Sequence, residues 1–403
     1  MRAIPLFLLA AGLVAVPQEP KAQEKAPAKA EPKADPTAGA KADPKAAAKN
    51  EAAAEPAKPP APPPPPRERR ESNYVYDLQG RPVPSNRSSR EVRQGGTGAG
   101  SSVDRIEVLR GSDGRPVTSR ESRERVLADS EADRTTERHI QRYDPTGRPT
   151  SKQVIRTERK KAADGSVAST ETAYDTDLNG RLQLTERRTT NENKTPTGGN
   201  TTILVERPGF SGAPQLVERV DKVATKKTET VTETVSSRRF PDANGRLEER
   251  ERELSVATQA GNATNTETRQ WRLGSAGVTN QMDLVSRSLS RMTESPDGSQ
   301  VEDTEVYTTL IAGTTADINR PQAPSLEQQI RREKKVQPDG RIVETTSTRQ
   351  RQVADPTRLG GLTVEEQVTT PTGDGKTIQK TGYERDSNGK LQRVASSVEE
   401  QKK

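Results

Sequence analysis

From Asn73 onward the chain repeats one pattern. Short stretches rich in Thr and Val, with shallow apolar/polar alternation, are broken by turn clusters. The alternation shows in Ile106-Glu-Val108, Leu182-Gln-Leu184 and Val231/Val235. Period-two alternation predicts strands with one half-buried face. The breaks read Asp or Pro, then Gly, then Arg or Lys: Tyr76-DLQG-Arg81, Tyr143-DPTG-Arg148, Asp177-LNG-Arg181, Asp242-ANG-Arg246, Pro338-DG-Arg341 and Asp386-SNG-Lys390. Asn-Gly and Asp-Gly supply the positive φ of type I′ hairpin turns. Gly147, Gly180, Gly212 and Gly245 recur at spacings of about 33 residues, with weaker turn signals near each midpoint. A unit is then two strands and two turns. Arg120–Arg138 and the capping-box pattern at Ser325-LEQ allow a helix, but strand is the favoured reading of both. The expected fold is all-β: an elongated antiparallel β-hairpin repeat, or meander, after a disordered N-terminal segment.

The first 72 residues follow a different pattern. Met1-Arg2 precedes an apolar run from Ile4 to Val16. This reads as a secretory signal peptide over residues 1–16, too short for a helical membrane span. Residues 17–72 form a Pro/Ala/Lys-rich spacer without core-forming residues, ending near Pro62–Pro66 and the basic run Arg67-Glu-Arg-Arg70. Its composition is similar to the linkers of TonB-type energy-transducing envelope proteins. Residues 73–394 are the repeat body and 395–403 a charged tail.

Composition sharpens this reading. The chain has 403 residues, 28% of them hydrophobic, 31% charged and 2% aromatic, with no Cys. Leu, Ile, Val and Phe make up about 16%, under the roughly 20% that separates globular from disordered chains. A thick core with a deep catalytic pocket is not expected, disulfides are excluded, and a largely disordered secreted chain is the alternative to a thin sheet. The net charge of +7 comes from finely mixed charges. Nucleic acid is therefore not expected as a partner; an envelope polymer, a glycan or a protein is. No transmembrane span is expected.

The aromatic residues are clustered. Tyr76, Tyr143, Tyr174, Phe210, Phe240, Trp271 and Tyr383 lie two to six residues before a repeat glycine. Rings at strand ends would stack in a row along one edge, as a packing ladder or as a platform for glycans.

Candidate chemistry is sparse. His139 is the single histidine and has no accompanying nucleophile. Phosphate-binding, dinucleotide and nucleophile-elbow motifs are absent from the sequence, so no enzyme is expected and no catalytic or cofactor-binding residue is assigned. One stretch, Asp175-Thr-Asp177-Leu-Asn179-Gly180-Arg181 through Glu186, has the spacing of an EF-hand calcium loop. Asp175, Asp177, Asn179, the Arg181 carbonyl and Glu186 would be the calcium ligands. The flanks are strand-like, so the same residues also read as a repeat turn without metal.

The motifs Tyr76-Asp77-LQG-Arg81, Tyr143-Asp144-PTG-Arg148 and Tyr174-Asp175-TDLNG-Arg181-Leu182 resemble the YD repeats of RHS and teneurin-type proteins. That resemblance implies long β-strands spiralling into a shell that encloses a toxin segment or presents a contact surface. Two functions follow. One is an exported, non-enzymatic envelope or surface β-repeat protein with a structural or binding role. The other is an RHS-like encapsulating or toxin-delivery component. Either would be periplasmic, surface-exposed or extracellular.

Overall fold

The computed structural model describes residues 66–76, 81–96, 98–110, 115–177, 179–274, 282–309, 324–351, 359–386 and 389–402. The signal peptide and most of the spacer lie outside these residues, as do the turn tips at Gly80, Gly114 and Gly277. Every regular element among the described residues is a strand. The first ten are β1 (Arg67–Tyr76), β2 (Pro82–Gln94), β3 (Ser102–Arg110), β4 (Pro116–Asp129), β5 (Asp133–Tyr143), β6 (Pro149–Lys161), β7 (Val167–Thr176), β8 (Leu182–Thr195), β9 (Gly198–Pro208) and β10 (Pro214–Lys226). The second ten are β11 (Val231–Pro241), β12 (Leu247–Ala260), β13 (Ala263–Leu273), β14 (Met282–Glu294), β15 (Gln300–Thr308), β16 (Ser325–Val336), β17 (Ile342–Arg351), β18 (Leu359–Thr372), β19 (Gly375–Arg385) and β20 (Leu391–Lys402). Arg67–Arg70, expected in the spacer, open β1, and the expected charged tail is most of β20. The two stretches that allowed a helix are β4 with β5, and β16.

Each strand pairs antiparallel with its neighbours in sequence, and β1 pairs with β20 through Ser72 opposite Val398 and Val75 opposite Ala395. The meander therefore closes into a 20-stranded barrel. Closure leaves no unpaired sheet edge, which suits strands too polar to be protected by a core. The expectation of no transmembrane span does not stand. It rested on the lack of a long apolar run, which is a test for helices. A closed antiparallel barrel satisfies every backbone group between strands and is the one non-helical architecture that crosses a bilayer.

The turns explain the repeat motif. In Asp144–Arg148, Gly147 N–H donates to Asp144 O and Asp144 N–H to Arg148 O, both at 2.9 Å. Residues 177–181, 242–246 and 386–390 close in the same way. These are three-residue loops, a type I turn followed by a left-handed glycine, and not the expected type I′ turns. Gly147, Gly180 and Gly245 sit at φ 84°, 76° and 76°. The aspartate that opens the motif caps its own loop: Asp177 Oδ1 accepts N–H bonds from Asn179 and Arg181, both at 2.8 Å. Asp-x-x-Gly-Arg is thus one backbone device, with the acid as acceptor and the glycine at positive φ.

Four turn aspartates, one of this kind and three that stand directly before their glycine, make part of the fold acid-sensitive. Asp144 is held below the ordinary aspartate value of 3.8 by the Thr146 hydroxyl and the Arg148 N–H, and Asp164 by the hydroxyl and N–H of Ser166. Asp297 is lowered by the Ser299 N–H and hydroxyl, and Asp339 by the Arg341 N–H. A depressed folded-state value adds stability that is present above the unfolded value and lost as pH falls through the folded one. Melting temperature should therefore drop as pH is lowered below 3.8. Replacing all four with Asn, which keeps an acceptor but cannot titrate, should flatten that drop in a pH series of thermal melts.

Turns from odd to even strands lie on one rim, the Gly147 rim. Turns from even to odd strands lie on the other, the Gly165 rim, where both Arg67 and Lys402 also lie. The strand faces are fixed by register and chirality. A path of paired residues from Val75, beside the Gly147 rim, runs through Ala395, Gly382, Glu365, Thr346, Arg332, Glu302, Met292 and Thr264. It reaches Gln259 beside the Gly165 rim. In a barrel of right-twisted strands such a path descends to the right as seen from outside, with β1 drawn upward. β20 is then to the right of β1. An L-residue facing that viewer turns its N–H and C=O to the right. Residues on the Val75 face instead bond the other way round. In even strands they donate to the preceding strand, as Lys226 does to Thr197 O and Gln259 to Thr230 O, both at 2.8 Å. The Val75 face therefore lines the lumen and the Tyr76 face is the exterior. A hollow of about 500 Å³ spans six strands on the Val75 face, lined by Asn73, Ser85, Glu344, Thr346, Glu365 and Lys380 among others.

Candidate functional site

Two features stand out on this barrel: a paired-charge lumen and an aromatic belt at one rim. The lumen carries charges that answer one another across strands. Arg238 links Glu218 (2.7 Å) and Glu251 (3.3 Å), and Glu251 reaches Arg272 (3.2 Å), a ladder over β10 to β13. Glu107 collects Arg87 at 3.0 Å, Arg105 at 3.6 Å and Arg120 at 3.7 Å. Between these rows stand small polar residues such as Ser286, Ser288 and Ser290, which share this face by register.

The belt begins with a bulge. In all ten hairpins joined at the Gly147 rim the register shifts a few residues below the turn, as between Arg142 and Tyr143, Ala173 and Tyr174, Gln270 and Trp271, Val306 and Tyr307, and Gly382 and Tyr383. Each irregularity adds residues to the even strand, two in β2 and one in each of the others, and leaves a backbone group unpaired. Ser119, Thr150 and Thr185 fill three of these gaps by donating their hydroxyls to Glu107 O, Arg142 O and Ala173 O at 3.1, 3.2 and 3.1 Å.

Above the bulge, Tyr76, Tyr143, Tyr174, Trp271, Tyr307 and Tyr383 face outward at nearly one height. Leu and Pro of the even strands stand opposite them: Tyr174 faces Leu184, Trp271 faces Leu284, Tyr307 faces Leu326 and Tyr143 faces Pro149. A second tier nearer the turns adds Leu182, Leu247, Met282 and Leu391. The rings make polar contacts downward: Tyr143 OH donates to Glu121 (2.8 Å), Tyr307 OH to Glu305 (2.7 Å), and Arg393 lies 5.4 and 5.8 Å from the Tyr76 and Tyr383 ring centres. None of these belt side chains is buried, and Leu182 and Leu391 are 48% and 47% exposed. The expected row of rings along one edge is present, as a belt on the exterior. Phe240 departs from it, facing the lumen under Arg238, and Phe210 stands exposed in its turn.

The calcium-spacing residues are dispersed by the hairpin. Asp177 caps the turn, Asn179 and Arg181 donate to it through their N–H groups, and the Arg181 carbonyl accepts the Asp177 N–H at 2.8 Å. Asp175 points into the lumen opposite Gln183, and its Oδ1 is buried without a hydrogen-bond partner. Glu186, further down the same face, is paired with Arg207 at 2.9 Å. Among the described residues no three acidic or histidine groups come together in a metal-holding cluster. His139 lies half-exposed on the outer face, with Nε2 2.6 Å from Glu137.

No family model matches the chain, and no curated protein matches it. Solved structures with similarity include a bacterial polysaccharide outer membrane secretin, at 8% identity and a TM-score of 0.32, covering 84% of this chain and 98% of that one. BauA, the ferric preacinetobactin receptor from Acinetobacter baumannii, matches at 10% identity and a TM-score of 0.30, covering 83% and 80%. The β domain of the Bordetella autotransporter BrkA matches at 9% identity and a TM-score of 0.14, covering 84% and 98%. These scores are too low to carry any property of those proteins to this chain.

Proposed function

We propose that this protein is an exported barrel of the cell envelope with a structural or binding role, and not an enzyme. The observation that carries this reading is the closure of 20 strands around a polar lumen, in a chain whose first residues read as an export signal. The lumen's carboxylates are held by arginines, as Glu107 and Glu251 are, which suits a fixed polar lining better than acid–base chemistry. The hollow interior also supports a second reading, the encapsulating role implied by the YD-like turns. A polypeptide co-purifying with the barrel and shielded from protease would favour it.

Expression of the full chain with its own leader in a Gram-negative host tests the first reading. The expected result is a shortened chain in the envelope fraction. Recovery of the uncleaved chain from the cytosol would overturn it.

A further inference from the structure

We propose that the aromatic belt at the Gly147 rim is a lipid-binding surface that seats this rim at the interface of a membrane rich in anionic phospholipid. The proposal rests on the envelope reading and names the partner of that barrel. Three observations carry it.

The first is geometry. In six of the ten hairpins the outward positions next to this rim hold rings with a polar tip beside leucines, prolines or Arg393, while Glu206, the Arg239–Glu249 pair and Arg351 stand at that height in three others. Tyr and Trp favour the boundary between headgroups and acyl chains because one end is apolar and the other polar. Two tiers of a strand rise on the order of 10 Å, the depth to which interfacial apolar faces are buried.

The second is charge. Directly below the belt the exterior turns basic in a particular way. Asp221 is shared by Arg219 (2.9 Å) and Arg239 (3.3 Å), and Glu267 by Arg269 (2.7 Å) and Arg287 (2.8 Å). Glu249 faces Arg239 and binds Arg252 at 2.7 Å, so the first cluster has three arginines to two carboxylates, while Glu305, bonded to Tyr307, stands beside the second. Cations this close to an apolar belt each add attraction to an anionic surface.

The third is topology. Both ends of the barrel chain, at Arg67 and Lys402, leave from the opposite rim, so neither end lies at the belt.

The chain's one tryptophan, Trp271, sits in the belt and reports on it directly. Mature protein is titrated with vesicles of phosphatidylcholine alone and of phosphatidylcholine with phosphatidylglycerol, following Trp271 emission and co-flotation. The expected result is a blue shift and flotation with the anionic vesicles. Partition should be about tenfold weaker on phosphatidylcholine alone or in high salt. The pair Leu182→Ser with Leu391→Ser keeps Trp271 and removes exposed side chains at little cost to folding, which far-UV circular dichroism checks. It should weaken partition about tenfold. Unshifted Trp271 emission with both vesicle types overturns the proposal. So does partition that the serine pair leaves unchanged, or a belt-dependent dimer in the absence of lipid, which would assign the surface to a second copy of the chain. A correctly exported barrel that fails to float would remove this inference and leave the envelope reading intact.

Discussion

Val398→Pro should be the most damaging single substitution at the seam, destabilising the chain by about 3 kcal/mol or more and converting monomers into oligomers. Val398 stands opposite Ser72 where β20 meets β1. It lies on the exterior face of an even strand, so the ladder's alternation directs its N–H toward β1. Proline removes that donor, and its ring crowds the partner strand. A meander with open ends could absorb the change at a free edge. A closed barrel has none, so the defect exposes both β1 and β20 as pairing edges, and those edges find each other between molecules. Denaturant melts should show a lower midpoint, and sedimentation should show concentration-dependent association. A monomer of unchanged stability would mean that the seam is not formed in solution.

Gly245→Val should cost about 1–3 kcal/mol through the backbone alone. Gly245 sits at φ 76°, and a Cβ added there meets nothing within 4 Å. The penalty is therefore not a clash with neighbours but the left-handed conformation itself, which a β-branched residue resists most strongly. Gly245→Asn, a residue that tolerates this conformation, should recover most of the loss. The contrast between Val and Asn identifies the mechanism, because a site controlled by space would rank them by size. Thermal melts of the two variants decide it. Equal losses would refute the left-handed-turn account of the repeat motif.

The hairpins are local, and their signals were legible in the amino-acid pattern. Gly147, Gly180, Gly212 and Gly245 mark one rim at the period of a strand pair, and Asp144, Asp177 and Asp242 cap the loops of the first, second and fourth. The turn type was less legible, because Asp-Gly and Asn-Gly serve both the two-residue and the three-residue loop. The choice is made by where the ladder ends, between Tyr143 and Pro149 for example. The aromatic row was visible in the spacing of Tyr143, Tyr174, Trp271 and Tyr383 from their turns. Its outward face was not, because alternation along an odd strand separates two faces without saying which of them closure turns inward. Closure left no local trace. Ser72 and Val398 pair across almost the whole chain, and neither strand differs in composition from its neighbours. The loop with calcium spacing has a placement that spacing alone did not show. Asp175, Asp177 and Glu186 have the right separations along the chain, but a hairpin turns Asp175 and Glu186 into the lumen and engages Asp177 in its own turn.

The low apolar content is consistent with this architecture. A closed sheet satisfies its backbone without edges, and its lumen is lined with small polar residues and arginine–glutamate pairs, so few large apolar residues are needed. Those on the exterior near the Gly147 rim form a belt.

Closure is the central claim, and one cross-link tests it most directly. The chain has no cysteine, so Asn73→Cys with Ser397→Cys introduces a single pair, at residues that face each other across the β1–β20 seam. Directly paired antiparallel residues of the non-hydrogen-bonded kind lie about 4.5 Å apart at Cα, within the range a disulfide spans. Mild oxidation of the dilute protein should give a monomer with an intramolecular disulfide, seen as faster migration on a non-reducing gel and as one linked peptide by mass spectrometry. Free thiols, or disulfides only between molecules, would contradict a closed barrel.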